Sequence, residues 1–282
     1  MQIKKTSQLQ KAMANYPKKA KVLAVTSGKG GVGKTNISAN LSVCLASAGK
    51  RTVLMDADFS LGNLDIILNI NSKYNIGDMI FGQKSVEEIM QVGPEGVEVI
   101  CGVSGLEDIA NINEFQRQRL LSELAKLEQT ADNVVIDTAA GITSSVVGFC
   151  LAADHTLVVT TPEPPAMTDA YAMIKVLVKN NYAGPISLVV NMAESKAEAK
   201  KVYQQIAQVC QRFLQTHIYD GGYLIKDPKL TMAVKMRKPV VLAYPRSKIS
   251  LSLIALAAKL DRCCPAKSED NGFLKKVVNW FF

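Results

Sequence analysis

The sequence predicts an α/β protein, a mostly parallel twisted sheet flanked by helices on both faces. Three observations predict it. Short apolar, β-rich runs alternate with segments of helical periodicity along most of the 282 residues. A glycine-rich loop lies between the first such run and the first helical segment. Polar residues stand where the runs end, and the carboxyl ends of strands are where open parallel sheets bind ligands.

Taken in order, Val22–Thr26 is the first strand and Gly28–Thr35 the loop. Ile37, Leu41, Leu45 and Ala48 then recur at helical spacing, and Gly49 is placed to stop the helix. Further strands are expected at Thr52–Asp56, Val97–Cys101, Asn133–Asp137, Thr156–Thr161 and Ile186–Asn191, with a weaker one at Gly222–Ile225. Helical patterns lie at 113–129, 142–153, 168–180, 196–215 and 248–262. Residues 1–21 read as a basic tail or short helix, 22–264 as one α/β domain, 265–271 as a polar linker and 272–282 as an amphipathic helix.

Composition narrows the class. With 48% hydrophobic and 21% charged residues the chain is an ordinary globular protein, and no apolar run is long enough to span a membrane. The N-terminus is charged but has no apolar core of a secretory signal. The six cysteines are scattered with no C-x-x-C pair, so reduced, buried thiols of a cytosolic protein are expected. The net charge of +8 is unevenly placed: residues 1–21 hold six lysines and no acid, leaving +2 for the rest. Bulk charge therefore gives no argument for direct DNA binding.

The loop Gly28-Lys29-Gly30-Gly31-Val32-Gly33-Lys34-Thr35 fits G-x-x-x-x-G-K-[ST]. Glycines let the backbone approach phosphates, and N–H groups at a helix N-terminus face anionic oxygens. Lys34 adds a point charge and Thr35 offers a hydroxyl to Mg²⁺. Lys29 is surplus to that chemistry. Asp56-Ala57-Asp58 closes the second strand, and Asp137-Thr138-Ala139-Ala140-Gly141 closes a later one. Phosphoryl transfer needs charge neutralisation, Mg²⁺ and an oriented water. An aspartate closing an apolar strand suits a magnesium-bound water, and a carboxylate on a mobile loop suits the attacking one.

The loop with its extra Lys29, the D-x-D…N-x-D segment at 56–65 and Asp137-Thr-Ala-Ala-Gly141 resemble the MinD/ParA family of P-loop ATPases, over roughly residues 20–262. Gly33-Lys34-Thr35-Asn36, Thr168-Asp169-Ala170-Tyr171, Asn191-Met192-Ala193 and Tyr244-Pro245-Arg246-Ser247-Lys248 resemble its FlhG (FleN) group of flagellar-number regulators. The resemblance implies a slow ATPase, stimulated by a partner or a membrane, that takes ATP/ADP and Mg²⁺. Gly28, Gly30, Gly31, Val32, Gly33, Lys34, Thr35 and Asn36 would cradle the nucleotide, and Asn191 would contact adenine. Lys29 would reach the nucleotide of the partner subunit in an ATP-dependent homodimer. Thr35, Asp56 and Asp137 would hold the metal, and Asp58 would position the hydrolytic water. Ser60 and Ile225 depart from the family pattern, where glycine and proline are usual.

In residues 272–282, Phe273, Val277 and Phe281 are spaced by four, as are Leu274 and Val278, with Trp280 beside the stripe. This suits a short helix for an anionic membrane surface and resembles the MinD targeting tail. A terminal helix packed on the body is the plainer alternative. Two copies in a dimer would bind far better than one. The chain would then be cytoplasmic and reversibly attached to the inner face of the membrane. The resemblance implies the signal-recognition-type GTPase FlhF as partner, and possible contact with a flagellar transcription regulator. Division-site positioning, DNA partition and a non-hydrolysing nucleotide scaffold are the alternatives. His155 and His217 have no triad or metal partner in the sequence and are assigned no role.

Overall fold

The computed structural model describes residues 20–58, 62–82, 84–102 and 114–263. Eight strands form one sheet: β1 (Lys21–Ser27), β2 (Thr52–Ala57), β3 (Gln91–Val92), β4 (Glu98–Ile100), β5 (Asn133–Ala140), β6 (His155–Thr160), β7 (Ile186–Ala193) and β8 (Tyr219–Ile225). Their order is β3-β4-β2-β5-β1-β6-β7-β8. Every pairing is parallel except β3 with β4. The sheet switches direction at β1, between β5 and β6, so the crevice at the carboxyl end of β1 is where a ligand belongs.

The helices are α1 (Lys34–Ser47), α2 (Leu64–Leu68), α3 (Ile76–Ile80), α4 (Val86–Ile89), α5 (Glu114–Thr130), α6 (Ser144–Ala152), α7 (Pro164–Lys179), α8 (Lys196–Leu214), α9 (Pro228–Lys235), α10 (Val240–Ala243) and α11 (Lys248–Cys263). Alternation along each strand divides the core. Val22 and Ala24 of β1 join the layer that holds α3 to α8. Leu23 and Val25 join the layer with α1, α2 and α9 to α11. Both faces are covered, so the strands read as continuous apolar runs rather than alternating ones.

Several expectations shift. β1 begins at Lys21, whose ammonium reaches the Asp261 carbonyl at 2.6 Å, so this lysine belongs to the domain and not to a tail. Asp137 does not close its strand: β5 continues to Ala140, because β1 and β2 keep offering ladder partners at Ser27 and Ala57. β7 likewise runs past Asn191 to Ala193. α7 starts at Pro164, four residues earlier than expected, since proline at the first helical position costs no hydrogen bond. β6 begins at His155, one residue before the expected start at Thr156. Cys101, Cys150 and Cys210 are buried and free, whereas Cys44 is half-buried. Residues 1–19, Ser60 and 264–282 lie outside the described residues, and with them the basic tail, the linker and the amphipathic helix.

Candidate nucleotide site

The phosphate loop turns where its glycines require it. Gly31 has φ 78° and Gly33 φ 91°, a left-handed region that L residues rarely occupy. Gly33 caps α1 without a side-chain acceptor, so the first N–H groups of that helix face the loop's concavity. A side chain at Gly33 would meet Asn191 Nδ2 at 2.5 Å, and one at Gly28 would run into the Asp169 carbonyl. The loop is therefore wedged between β7 and α7. Asn191 is buried, donates to the Val32 carbonyl at 2.7 Å and accepts from Met192 N–H at 2.9 Å. What it visibly does is pin the loop. Ser27 Oγ donates to the Lys29 carbonyl at 2.7 Å, tightening the entrance.

The charged groups gather beneath the loop. Asp56 and Asp137 are register partners on β2 and β5, and both are only 2% exposed. Burial pushes Asp56 up to about 7, and the neighbouring Asp137 charge adds to it. Burial lifts Asp137 to about 6, against hydrogen bonds from Thr35 and Ser38 that favour its ionised form. Ser38 Oγ donates to Asp137 at 2.8 Å. Lys34, also buried, is pushed below the ordinary lysine range by desolvation, while Asp137 and Asp58 oppose that shift. One buried cation facing two buried carboxylates and Asp58 leaves the site short of positive charge. Asp58 N–H donates to Asp56 at 3.0 Å, so backbone geometry ties the Asp58 segment to the buried pair. A side chain at Gly62 would strike Asp56 Oδ2 at 2.6 Å, so a glycine there lets the backbone pack directly over that carboxylate.

The structure brings Lys34, Thr35, Asp56, Asp58 and Asp137 together, and places Asn191 against the loop. Lys29 extends outward, with its ammonium 2.9 Å from Glu163 Oε2, a largely exposed pair of the kind worth about 0–1 kcal/mol. Sequence reasoning missed Ser38, Glu163 and the contact of Asp169 with Gly28. Ser38 lies one helical turn after Lys34, a spacing that could have found it. Thr168-Asp169 stood out only as a resemblance, not as the wall of the loop. Ile225, one of the two departures, ends β8 opposite Ala193.

Residues 20–183 match the family model of an AAA domain. The chain is 38% identical to the antiactivator FleN of Pseudomonas aeruginosa over 257 residues, covering 91% of each chain. It is 33% identical to the flagellum site-determining protein YlxH of Helicobacter pylori, covering 85% of this chain and 81% of that one. The cell division ATPase MinD of Pyrococcus furiosus shares the fold, with a TM-score of 0.72, 22% identity, and coverage of 86% and 99%. With a phosphate loop at the switch point of the sheet and aspartates on the neighbouring β5 and the next strand, β2, the chain belongs to the MinD/ParA family of P-loop ATPases.

Proposed function

We propose that this protein is an ATP-driven switch that controls the number or placement of flagella. Its binding of Mg-ATP would drive dimerisation and membrane attachment, and hydrolysis would reverse both. The buried Asp56–Asp137 pair beside Lys34 carries the chemical half of this reading. The kinship with FleN and YlxH carries the biological half.

The donor set fits magnesium. Two carboxylates and a threonine hydroxyl are hard oxygen ligands, and Mg²⁺ commonly takes one or two carboxylates plus waters and substrate phosphates. Thr35, Asp56 and Asp137 would hold it, and it would neutralise charge on the phosphate oxygens. The chain's own residues supply the rest. The N–H groups of Gly30 to Asn36 would cradle the phosphates, and Lys34 would pair with the β- and γ-oxygens. Asp58 would orient the attacking water and accept its proton. Lys29, exposed and weakly held, is free to swing towards a partner's nucleotide, where a cation acts as an arginine finger does.

Sedimentation and phosphate release test the switch together. The Asp58→Ala protein is expected to turn over ATP about 100-fold more slowly and to accumulate as a dimer with Mg-ATP. Lys29→Ala should bind nucleotide and fail to hydrolyse it. An Asp58→Ala protein that stays monomeric at high concentration would remove the dimer switch. Co-sedimentation with anionic liposomes, with and without residues 272–282, tests the membrane arm. Flagellar count against septum placement in a deletion strain separates this role from division-site positioning.

A further inference from the structure

The +2 carried by residues 22–282 hides a local excess. Between 229 and 248 the chain has six cations (Lys229, Lys235, Arg237, Lys238, Arg246 and Lys248) and no acid, so the remainder of the body is net negative. All six are exposed. Among the described residues no carboxylate pairs with them; Lys229 lies over the Tyr244 ring at 5.7 Å instead. Exposed apolar side chains are interleaved: Met232 is 51% and Met236 58% exposed.

This stretch borders a groove. Leu68 at the end of α2, Ile70 just after it, Val92 and Pro94 at the β3 edge, and Leu242 of α10 line a cavity of about 370 Å³, with Met236, Arg237 and Lys238 on its rim. Val92 is 75% exposed, unusual for a valine that packing alone would have hidden. Arg237 occupies the position after α9 where glycine is customary, with φ 50°. Two backbone bonds hold it there, Arg237 N–H to Val234 at 3.0 Å and Lys238 N–H to Ala233 at 3.1 Å. Consecutive cations are thus presented by a fixed turn rather than a loose loop.

We infer that this groove docks an acidic amphipathic helix of a partner protein, its apolar face on Val92, Leu242 and Met236 and its carboxylates on Arg237 and Lys238. The groove is concave, with apolar side chains set among polar ones, which suits the face of an amphipathic helix better than a flat lipid surface. Exposed methionines adapt to apolar partners, whereas nucleic acid asks for cations alone or with aromatic stacking. The groove lies outside the nucleotide site, so docking does not require hydrolysis. The two are tied through the body: Val241 N–H of α10, beside Leu242 in the groove, donates to Asn40 of α1 at 3.1 Å.

The test uses the full chain and a fluorescent helical peptide of about eighteen residues, glutamate on one face and leucine on the other. Fluorescence anisotropy should show binding that weakens with salt. The double variant R237E/K238E is expected to lose about ten-fold or more in affinity, and a peptide with lysine in place of glutamate should restore it. Val92→Glu, which leaves the cations in place, should also abolish binding. ATP affinity, measured in parallel, should stay unchanged in every variant and so reports that each is folded. Should the double variant fail to fold, Val92→Glu and the salt titration decide. Equal binding of the glutamate and lysine peptides to the native chain would overturn the proposal, as would an unchanged affinity in R237E/K238E. Binding of phosphatidylglycerol vesicles or a DNA duplex that these charge reversals abolish, with no peptide binding, would replace it with a phosphate-binding surface.

Discussion

The two ends of the sheet make opposite use of their space. At the carboxyl end one opening, beside Asp56 but not lined by the phosphate loop, measures about 310 Å³. At the amino end of β6, β7 and β8 lies a cavity of about 720 Å³, lined in part by His155, Tyr182, Ser187, His217 and Lys259. Yet four of the larger cavity's polar side chains already have hydrogen-bond partners. His155 Nε2 and Ser187 Oγ are 2.9 Å apart, the Tyr182 hydroxyl donates to the Ala153 carbonyl at 3.2 Å, and Lys259 donates to the Asp220 carbonyl. The carboxyl end instead holds two carboxylates whose charges burial opposes. A site that needs a ligand is recognised here by electrostatic imbalance, not by volume.

The sharpest way to break that contrast is to remove the cation at the carboxyl end. Lys34→Ala deletes, among the described residues, the buried positive charge that faces Asp137 and Asp58. Nucleotide affinity is expected to fall about 100-fold or more, since charge-assisted contacts to phosphate contribute roughly 1.5–3 kcal/mol each and the carboxylates left behind repel it. Isothermal titration with ATP measures this. His217→Ala in the larger cavity should leave the same titration unchanged; an equal loss there would erase the distinction between the two ends.

The sequence made the carboxyl end legible because its signals are local in the chain. The loop, its flanking strand and α1 form one continuous stretch, and Asp56 and Asp58 stand two residues apart. The pairing of Asp56 with Asp137 is not local. It arises from the strand order β2-β5-β1, which no single segment encodes. The short helices α2, α3 and α4, four or five residues each, are too brief to show a period. The caps of α3 and α4 were nevertheless present: Asn75 with Asp78 and Ser85 with Glu88 form reciprocal capping boxes. β3, two residues long, gave no signal of strand at all. The amino end was illegible for a different reason. His155 falls just before the strand expected at Thr156–Thr161, because Ala-Asp-His-Thr carries turn-forming polarity, whereas it is the first residue of a central strand.

Asp56 gives a second test, of the imbalance itself. Its folded pKa stands near 7, above the unfolded 3.8, so without metal its ionised form opposes folding. That cost is absent below about pH 4, grows as pH rises, and is complete above pH 7. Asp56→Asn should therefore raise the stability of the metal-free protein at pH 8 by about 1–4 kcal/mol, and not at pH 4. The same substitution should abolish magnesium-dependent phosphate release. Denaturant titrations at the two pH values, with EDTA, read the first effect. A variant less stable than the parent at pH 8 would show that Asp56 is a structural carboxylate and not one awaiting a cation.

The smallest effect belongs to the amino end and runs with the opposite sign. Burial pushes the His155 imidazole from 6.5 down to about 4, and the ring is only 3% exposed. Above pH 6.5 it is neutral in both folded and unfolded chains and contributes no pH dependence. Between 6.5 and 4 the unfolded chain takes up a proton that the folded one refuses, so stability is lost as pH falls, by about 2 kcal/mol at pH 5. Below 4 both states are protonated and the loss stops growing. His155→Gln can keep a hydrogen bond to Ser187 and cannot titrate. Denaturant unfolding of parent and variant at pH 7.5, 6 and 5 should give a difference that shifts in the variant's favour with acidity, while ATP turnover at pH 7.5 stays within about two-fold. Parallel stability curves would mean that protonated His155 finds a counter-charge or water, and that the large cavity is less fully satisfied than its hydrogen bonds indicate. Comparing the variant with its parent is essential, because Asp56 and Asp137 gain stability over the same acid range and would mask the histidine in the parent alone.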